Sequence, residues 1–401
     1  MEFNVRTLLQ GAQRHPCPPL LNPGGFAGCH LHFFTLRLGK HMPYTLTALA
    51  DLLNAPFDEI IDVRSPSEFA EDHVPGAINL PVLDDEERAR VGTIYKQESA
   101  FLARKIGGAL VARRAGANIE AHLLDRPGSY RPLVYCWRGG MRSGAFATIL
   151  KQIGWRAETL EGGYKTYRRL VVDLLHRPRA PSEDFIAPLI VLDGNTGTAK
   201  TELLQYLVAQ GAQVLDLERL ARHRGSLFGE LLEDQPAQKA LESAIAMKVV
   251  SFDAKRPVFV EAESSRIGRL TLPRILWERM RRAPRIYIQA RLEARSAYLA
   301  STYGDVAADP ERLGRTIDRL RPYHPADRIT AWQELAVAGR MEELAREIAE
   351  FHYDPKYARQ RARETQPELG QVRLEDFSQA ALERAASDII VMADSGAGAI
   401  R

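Results

Sequence analysis

Two short glycine-containing loops constrain the fold more than any other feature of this 401-residue chain, one at residues 136–143 and one at residues 194–201. Each loop follows a short apolar run and precedes a segment with helical periodicity. The predicted strands are 133–136 and 187–193, and the helices that follow them are 143–153 and 201–210. Strand, loop and helix in this order predict parallel sheets flanked by helices, so we expect an α/β protein.

Length and composition limit the class of protein. The chain is long enough for two or three domains, and 45% hydrophobic with 26% charged residues is ordinary for a soluble globular protein. No apolar run approaches the roughly 18 residues of a membrane span, and the N-terminus lacks the pattern of a secretory signal, so we expect a cytoplasmic protein with no membrane contact. The three cysteines, Cys17, Cys29 and Cys136, are too few for a disulfide framework.

Changes in composition predict four segments. Residues 1–42 are rich in Pro and Gly and are expected to be a leader outside the fold; the Cys and His residues there match no structural zinc spacing. Residues 43–180 are expected to form the first α/β domain and residues 181–352 the second, with a proline-rich linker at 177–182. Residues 353–401 are expected to be a helical C-terminal extension and tail, and 332–351 a single amphipathic helix before it.

The first loop has the composition of a nucleophile held beside an anion. Cys136 is followed by Arg138, Gly139, Gly140 and Arg142. Amides of the glycines and the two guanidinium groups can converge on an oxyanion, and the following helix N-terminus favours the thiolate. Cys136 and Arg142 enclose five residues, the spacing of phosphatase loops. This spacing leaves two possibilities open, a phosphatase or a transferase whose donor carries a phosphate.

The second loop has the pattern of a phosphate-binding P-loop. Gly194 and Gly197 supply the turn, Lys200 neutralises phosphate charge, and Thr201 is placed to ligate Mg²⁺. Ala199 departs from the pattern, because a glycine normally precedes this lysine, so we expect phosphate or diphosphate binding with weak nucleotide hydrolysis. Glu261 ends a predicted strand where it could position a metal ion or water. No metal site is certain from the sequence.

Arginine is concentrated between positions 266 and 295, where nine arginines accompany only two acidic residues. Interleaved aromatic residues suit base stacking, and arginine suits phosphate recognition, so this segment predicts contact with a nucleic acid. The residues expected to contact RNA are Arg266, Arg269, Arg274, Arg281 and Arg282.

Several motifs carry a resemblance to known families. Segments 62–64, 68–69 and 73–79 and the Cys136 loop resemble the successive motifs of the rhodanese superfamily, in which Asp62, Arg64 and His73 are more plausible as braces of the loop than as catalysts. A rhodanese-like domain followed by a P-loop domain is similar to the bacterial tRNA 2-selenouridine synthases. Further matches to that family are at 160–165, 216–218, 223–226, 260–264 and 266–268.

The resemblance implies a two-stage modification of the wobble uridine in the tRNA anticodon loop. Geranyl diphosphate first alkylates the sulfur of 2-thiouridine, and selenophosphate then replaces the geranylthio group with selenium, through a selenium intermediate on Cys136. Both donors are expected as co-substrates, with Mg²⁺ as a candidate cofactor, and the enzyme would be a selenotransferase and geranyltransferase. The alternatives are a rhodanese-type sulfurtransferase or Cys-x5-Arg phosphatase that does not act on RNA, and a P-loop kinase or regulatory module. The sequence gives no indication of oligomeric state.

Overall fold

The computed structural model describes residues 42–177, 187–363 and 365–395. The predicted leader and the proline-rich linker lie almost entirely outside the described residues, as do the last six residues of the tail. Residues 43–401 form one compact unit. This unit contains two parallel sheets, which confirms the expected α/β class.

The first sheet, sheet I, has the strand order β2-β1-β3-β4, and all its pairings are parallel. Its strands are β1 (Glu59–Asp62), β2 (Ile78–Asn79), β3 (Pro132–Tyr135) and β4 (Glu158–Thr159). Every residue of β3 is buried. A central parallel strand is covered on both faces, which explains why it is a continuous apolar run in the sequence.

Within residues 42–177, five α-helices accompany sheet I: α1 (Pro66–Glu71), α2 (Asp85–Gln97), α3 (Ala100–His122), α4 (Met141–Ile153) and α5 (Gly163–His176). A 3-10 turn, Leu49–Leu52, precedes β1. The side chain of Asp84 caps α2 by accepting from the Glu87 amide at 2.8 Å. In α5, Tyr164, Tyr167, Val171 and Leu175 are buried, and their spacing places them along one face of the helix.

The second sheet, sheet II, has the order β11-β10-β5-β7-β6 and is also parallel throughout. Its strands are β5 (Leu189–Gly194), β6 (Gln213–Leu215), β7 (Val258–Glu261), β10 (Arg285–Ala290) and β11 (Glu368–Leu374), and a separate antiparallel hairpin is formed by β8 (Arg266–Ile267) and β9 (Leu270–Thr271). The helices are α6 (Lys200–Ala209), α7 (Leu217–Ala221), α8 (Gln238–Val250), α9 (Arg274–Arg282), α10 (Leu292–Thr302), α11 (Gly304–Ala307), α12 (Pro310–Asp318), α13 (Ala326–Val337), α14 (Met341–Ile348), α15 (Asp354–Arg361) and α16 (Gln379–Ser395).

One continuous hydrophobic cluster joins the two sheets. It contains Leu133 and Tyr167 from the sheet I side and Val191, Leu241 and Val258 from the sheet II side. Helices α5 and α8 pack against each other within it. The boundary predicted at residue 180 falls in the undescribed segment 178–186. Residues before and after that segment belong to the same hydrophobic cluster.

Two expectations for the C-terminal part were wrong. The helix predicted over 332–351 is two helices, α13 and α14, because Gly339 adopts a left-handed conformation with φ of 70° that ends the first one. A π-helical turn, Ala349–Tyr353, follows α14. The extension predicted from residue 353 onward is not separate from the second domain, because β11 pairs with β10 at the edge of sheet II and α16 packs on α6.

Candidate active sites in two phosphate-binding loops

The Cys136 loop connects the carboxyl end of β3 to the N-terminus of α4, as the sequence predicts. The Gly140 amide donates a 3.3 Å hydrogen bond to Cys136 Sγ, and the Ser143 hydroxyl lies 3.2 Å from the same sulfur. Cys136 is only 4% exposed, whereas the neighbouring Arg138 and Gly140 are exposed. The thiol therefore lies just inside the protein surface, under a loop that solvent reaches.

The environment of Cys136 favours its ionised form. Burial opposes ionisation most strongly, but the hydrogen bonds from Ser143, the charge of Arg142 and the Gly140 amide together outweigh it and lower the pKa of the thiol. A lowered pKa increases the thiolate fraction near neutral pH. The thiolate is the nucleophilic form, so the geometry suits attack on a bound donor.

Glycines allow the loop to fold tightly against the start of α5. Gly139 has a φ of 62°, and a Cβ there would lie 2.5 Å from the Leu160 carbonyl oxygen. Gly163, also left-handed, would place a Cβ 2.2 Å from the Cys136 carbonyl oxygen. A side chain at either position would push the Cys136 loop away from α5.

The two arginines of the loop differ in their surroundings. Arg142 Nη1 lies 2.8 Å from Glu68 Oε2 in an ion pair, while Arg138 is exposed. The pair with Glu68 anchors Arg142 to the segment after β1. Arg138 is the guanidinium of this loop that faces solvent, where an incoming anion would meet it first.

Asp62 and Arg64 form a buried ion pair of 2.6 Å, and Arg64 also donates to the Asp72 carbonyl oxygen. The Arg64 guanidinium lies 4.0 Å from the centre of the Tyr164 ring. The Tyr164 amide in turn donates to the Cys136 carbonyl oxygen at 2.9 Å. Through these contacts Asp62 and Arg64 support the Cys136 loop from its buried side, consistent with the structural role expected for them. His73 stacks on Phe69.

The P-loop connects β5 to α6. Lys200 Nζ donates to the carbonyl oxygens of Gly194 at 2.9 Å and Asn195 at 3.3 Å, so its ammonium group lies over the turn. Gly197 has a φ of 83°, and a Cβ there would lie 2.8 Å from Leu299. Ala199 also adopts the left-handed region, with φ of 54° and ψ of 31°. This conformation costs roughly 1–2 kcal/mol for a residue with a Cβ.

Acidic side chains surround the lysine and threonine at the end of the P-loop. The Thr201 hydroxyl donates to Glu218 Oε2 at 2.7 Å, and Glu261 Oε1 accepts from the Glu218 amide at 2.7 Å. Burial, reinforced by the charge of Glu218, raises the pKa of Glu261 well above its usual range and that of Glu263 to about 8. Even beside Lys200 these carboxyls favour their neutral forms near neutral pH, and a bound metal cation would favour their ionised forms.

The donor set fits a hard cation such as Mg²⁺. Glu261 Oε2 is buried and has no hydrogen-bond partner among the described residues, and a hydroxyl and carboxylates are the oxygen ligands that Mg²⁺ prefers. Within the described ranges no group of three or more His, Cys, Asp or Glu is arranged to hold a metal by itself. Mg²⁺ commonly takes one or two protein ligands and completes its shell with phosphates and water.

Helix α15 lies against the P-loop. Asp354 Oδ1 accepts hydrogen bonds from Asn195 at 2.8 Å and from Arg295 at 2.9 Å. Arg295 Nη1 also donates to the Thr196 carbonyl oxygen at 3.1 Å. Arg361 donates to the Asn195 side chain. The P-loop is thus held in place by residues that occur 99 to 166 positions later in the chain than the residues they contact.

A cavity of about 1060 Å³ lies beside the P-loop, and its lining residues fall between Val191 and Gln366. It includes Glu218, Glu263 and five aromatic side chains, Trp277, Tyr298, Tyr303, Tyr353 and Tyr357. Its cationic side chains are Lys200, Arg224, Arg281, Arg285, Lys356, Arg359 and Arg363. The structure therefore brings the P-loop residues together with cations suited to a polyanion, whereas Cys136 belongs to the sheet I domain.

The arginine-rich segment is only partly a surface. Arg266, Arg269, Arg274, Arg281 and Arg282 are exposed, and Arg281 lies over the Trp277 ring at 5.1 Å. Arg285 and Arg295 are instead buried in ion pairs with Asp193 and Asp354. The nine arginines of this segment therefore do not all face solvent, and composition does not reveal which of them have buried acidic partners.

Functional candidates that the sequence did not single out include Arg295, Asp354 and Tyr357. Glu218 lies in segment 216–218, which resembles the selenouridine synthase family, but the resemblance did not assign it a role. Arg295, Asp354 and Tyr357 lie in helices far along the chain from the P-loop, and residue spacing does not indicate that they approach it.

Taken with its two loops, the fold defines a protein in which a rhodanese-like domain precedes a P-loop domain. Residues 45–170 match the family model of the rhodanese-like domain, and residues 187–314 match that of the tRNA 2-selenouridine synthase AAA domain. The chain is 37% identical over 264 residues to a tRNA 2-selenouridine synthase of Shewanella denitrificans, an alignment covering 64% of this chain and 68% of the relative. It is 36% identical over 281 residues to a tRNA 2-selenouridine synthase of Nitrosomonas eutropha, covering 69% and 70% respectively. The chain belongs to the tRNA 2-selenouridine synthase family.

A solved N-terminal domain from Clostridium difficile 630 is 34% identical and covers 33% of this chain and 99% of its own, with a TM-score of 0.29. That score is too low to support a structural argument. In the described part of the chain, no helix combines the length and apolar character that a membrane span requires.

Proposed function

We propose that this protein converts 2-thiouridine at the wobble position of tRNA to 2-selenouridine in two stages. The observation that carries the proposal is that two features occur in one compact unit. One is a thiol with a lowered pKa in a Cys-x5-Arg loop, and the other is a P-loop that opens into a cationic cavity. The family membership supports the tRNA substrate, and aromatic and arginine side chains in the cavity suit an RNA segment.

The first stage is geranyl transfer at the P-loop. The sulfur on C2 of thiouridine attacks C1 of geranyl diphosphate, an S–C bond forms, and the C–O bond breaks with its electron pair on the departing diphosphate. The N3 proton of the thiouridine is released. Lys200 and the P-loop amides stabilise the charge that develops on the diphosphate. Mg²⁺ held by Thr201 and Glu218 would supply further positive charge there.

The second stage replaces the geranylthio group with selenium. Alkylated sulfur leaves as a thiolate, whereas a thiocarbonyl sulfur does not, so the first stage prepares the second. The products common to every route are 2-selenouridine and geranylthiol, and the fate of the phosphorus depends on which atom of selenophosphate is attacked. We assign Cys136 to this stage as the nucleophile that accepts selenium, with Arg138 and Arg142 beside the phosphate group.

The Cys136 sulfur has two possible targets on selenophosphate, and their products differ. Attack on selenium forms an S–Se bond and leaves the Se–P electron pair on phosphorus, which departs at the oxidation level of phosphite; a reducing thiol then frees the selenouridine. Attack on phosphorus forms an S–P bond, leaves the pair on selenium and ends in phosphate without a reductant. Phosphorus NMR distinguishes the two routes. Phosphite together with consumption of thiol is expected if Cys136 accepts selenium. Phosphate without thiol consumption would show that the Cys136 sulfur attacks phosphorus.

The test of the whole proposal is reconstitution with the purified protein. A 2-thiouridine anticodon stem-loop, geranyl diphosphate and selenophosphate are expected to give first the geranylthio nucleoside and then the seleno nucleoside, followed by mass spectrometry. Nucleosides from cells with and without the gene provide the matching observation in vivo. Sulfur transfer or phosphate-ester hydrolysis at full rate without RNA, and with no modified nucleoside, would overturn the proposal in favour of a sulfurtransferase or phosphatase.

A further inference from the structure

A second, smaller cavity adjoins the P-loop, and it is almost entirely apolar. It lies among α10, α12, α14 and the segment 226–228. Its apolar lining includes Phe228, Leu299, Leu313, Met341, Leu344 and Ile348. Its volume is about 80 Å³, which is roughly five to eight times the space that one water molecule requires.

This apolar cavity lies directly beside the cationic cavity at the P-loop. Thr196, Leu299 and Tyr303 line both. The contact is close, because a Cβ on Gly197 would lie 2.8 Å from Leu299. An apolar space therefore begins directly at the turn that is placed to hold phosphate.

The polar atoms at the boundary between the two cavities already have partners. The Tyr303 hydroxyl lies 3.0 Å from the Ser226 hydroxyl, and the Tyr353 hydroxyl accepts from the Leu227 amide at 3.2 Å. These bonds leave ring faces and aliphatic carbons to line the smaller cavity. A cavity with such a lining holds water poorly and binds hydrocarbon.

We propose that this apolar cavity binds part of the hydrocarbon chain of a prenyl diphosphate whose diphosphate lies on the P-loop. The inference rests on the proposed function and deepens it, because it assigns the part of the protein that selects the length of the prenyl chain. The chain enters past Leu299 and Tyr303 and extends between α10 and α14. Burial of its carbons favours a longer donor over a shorter one by about 0.8 kcal/mol per methylene, or roughly fourfold per carbon.

Filling the cavity tests the assignment. Ala300, on α10, lines it, while Ala297 on the same helix is exposed and serves as the matched control. Ala300→Phe is expected to raise KM for geranyl diphosphate by about 10- to 100-fold, because the new ring displaces two or three carbons of the prenyl chain from the cavity. KM for the five-carbon dimethylallyl diphosphate and inhibition by inorganic diphosphate are expected to change far less. Ala297→Phe is expected to behave as the parent protein.

A second variant guards against failure of the first to fold. Met341→Ala enlarges the cavity from the α14 side and is expected to increase kcat/KM for the fifteen-carbon farnesyl diphosphate relative to geranyl diphosphate. An unchanged chain-length profile in both folded variants overturns the cavity assignment. Absence of prenyl transfer by the parent protein is a different result, which overturns the proposed function itself.

Discussion

The Ser243 hydroxyl donates a 3.0 Å hydrogen bond to Oδ2 of Asp72, and both side chains are 1% exposed. Asp72 follows α1 beside sheet I, while Ser243 lies in α8 beside sheet II. The Tyr164 hydroxyl donates to the same oxygen at 2.7 Å, and Arg168 forms an ion pair with Glu242 next to it. A buried carboxylate therefore joins the domain that contains Cys136 to the domain that contains the P-loop.

Ser243→Ala is expected to lower the free energy of unfolding by about 1 kcal/mol, because Asp72 loses one of its two hydroxyl donors. Burial already raises the pKa of Asp72, and the lost bond is expected to raise it further. Urea unfolding measures the effect, with Ser251→Ala as a control at an exposed position. Equal stability of Ser243→Ala and the parent protein would show that the hydrogen bond adds nothing to the joint between the domains.

Ser143→Ala is expected to raise the pKa of Cys136, because Ser143 provides the strongest of the interactions that stabilise the thiolate. The titration is followed by thiolate ultraviolet absorbance, taken as the difference from Cys136→Ser so that the other two cysteines cancel. Thr148→Ala, an exposed hydroxyl on the same helix, is the control. A Cys136 titration that is the same in Ser143→Ala and in the control contradicts the assigned role of this hydroxyl.

Cys136→Ser and Lys200→Ala are expected to separate the two stages. Cys136→Ser removes the nucleophile and should slow selenation by more than about 1,000-fold while geranylation continues. Lys200→Ala removes a cation from the leaving diphosphate and should slow geranylation by about 100- to 1,000-fold. Single-turnover assays on thiouridine RNA and on chemically geranylated RNA measure each stage. Normal geranylation by Lys200→Ala would place the prenyl donor elsewhere.

The strand-loop-helix units around Cys136 and Lys200 were predictable because all of their information is local: an apolar run, glycines at the turn and a helical period. The surroundings of those loops were not. Asp354 contacts Asn195 across 159 positions of sequence, and β11 joins sheet II beside β10, from which α10 to α15 separate it in the chain. Contacts between residues so far apart in sequence depend on the tertiary packing of the whole domain. For the same reason Arg285 and Arg295 could not be distinguished from exposed arginines nearby.

Protein stability is expected to fall as pH rises from about 4.5 to 8, in part because of Glu263. Burial and the charge of Glu218 raise the pKa of Glu263 to about 8 in the folded protein, so the folded state holds a proton that the unfolded state has released. The stabilisation is complete below the unfolded pKa and is lost as pH approaches 8. Glu263→Gln should reduce the slope of the unfolding free energy against pH by up to about 1.4 kcal/mol per pH unit. Glu350→Gln, at an exposed position, should not alter it.

Ala199 departs from the usual P-loop pattern, and its backbone strain can be measured. Its left-handed conformation costs roughly 1–2 kcal/mol with a Cβ, and glycine would remove that cost but add about 0.5–1 kcal/mol of unfolded-state entropy. Ala199→Gly is therefore expected to raise the free energy of unfolding by up to about 1 kcal/mol. Ala209→Gly, at the end of α6 and exposed, should lower it by about 0.5–1 kcal/mol. Loss of stability in both variants would mean that packing of the Ala199 methyl group, which is 4% exposed, outweighs the strain.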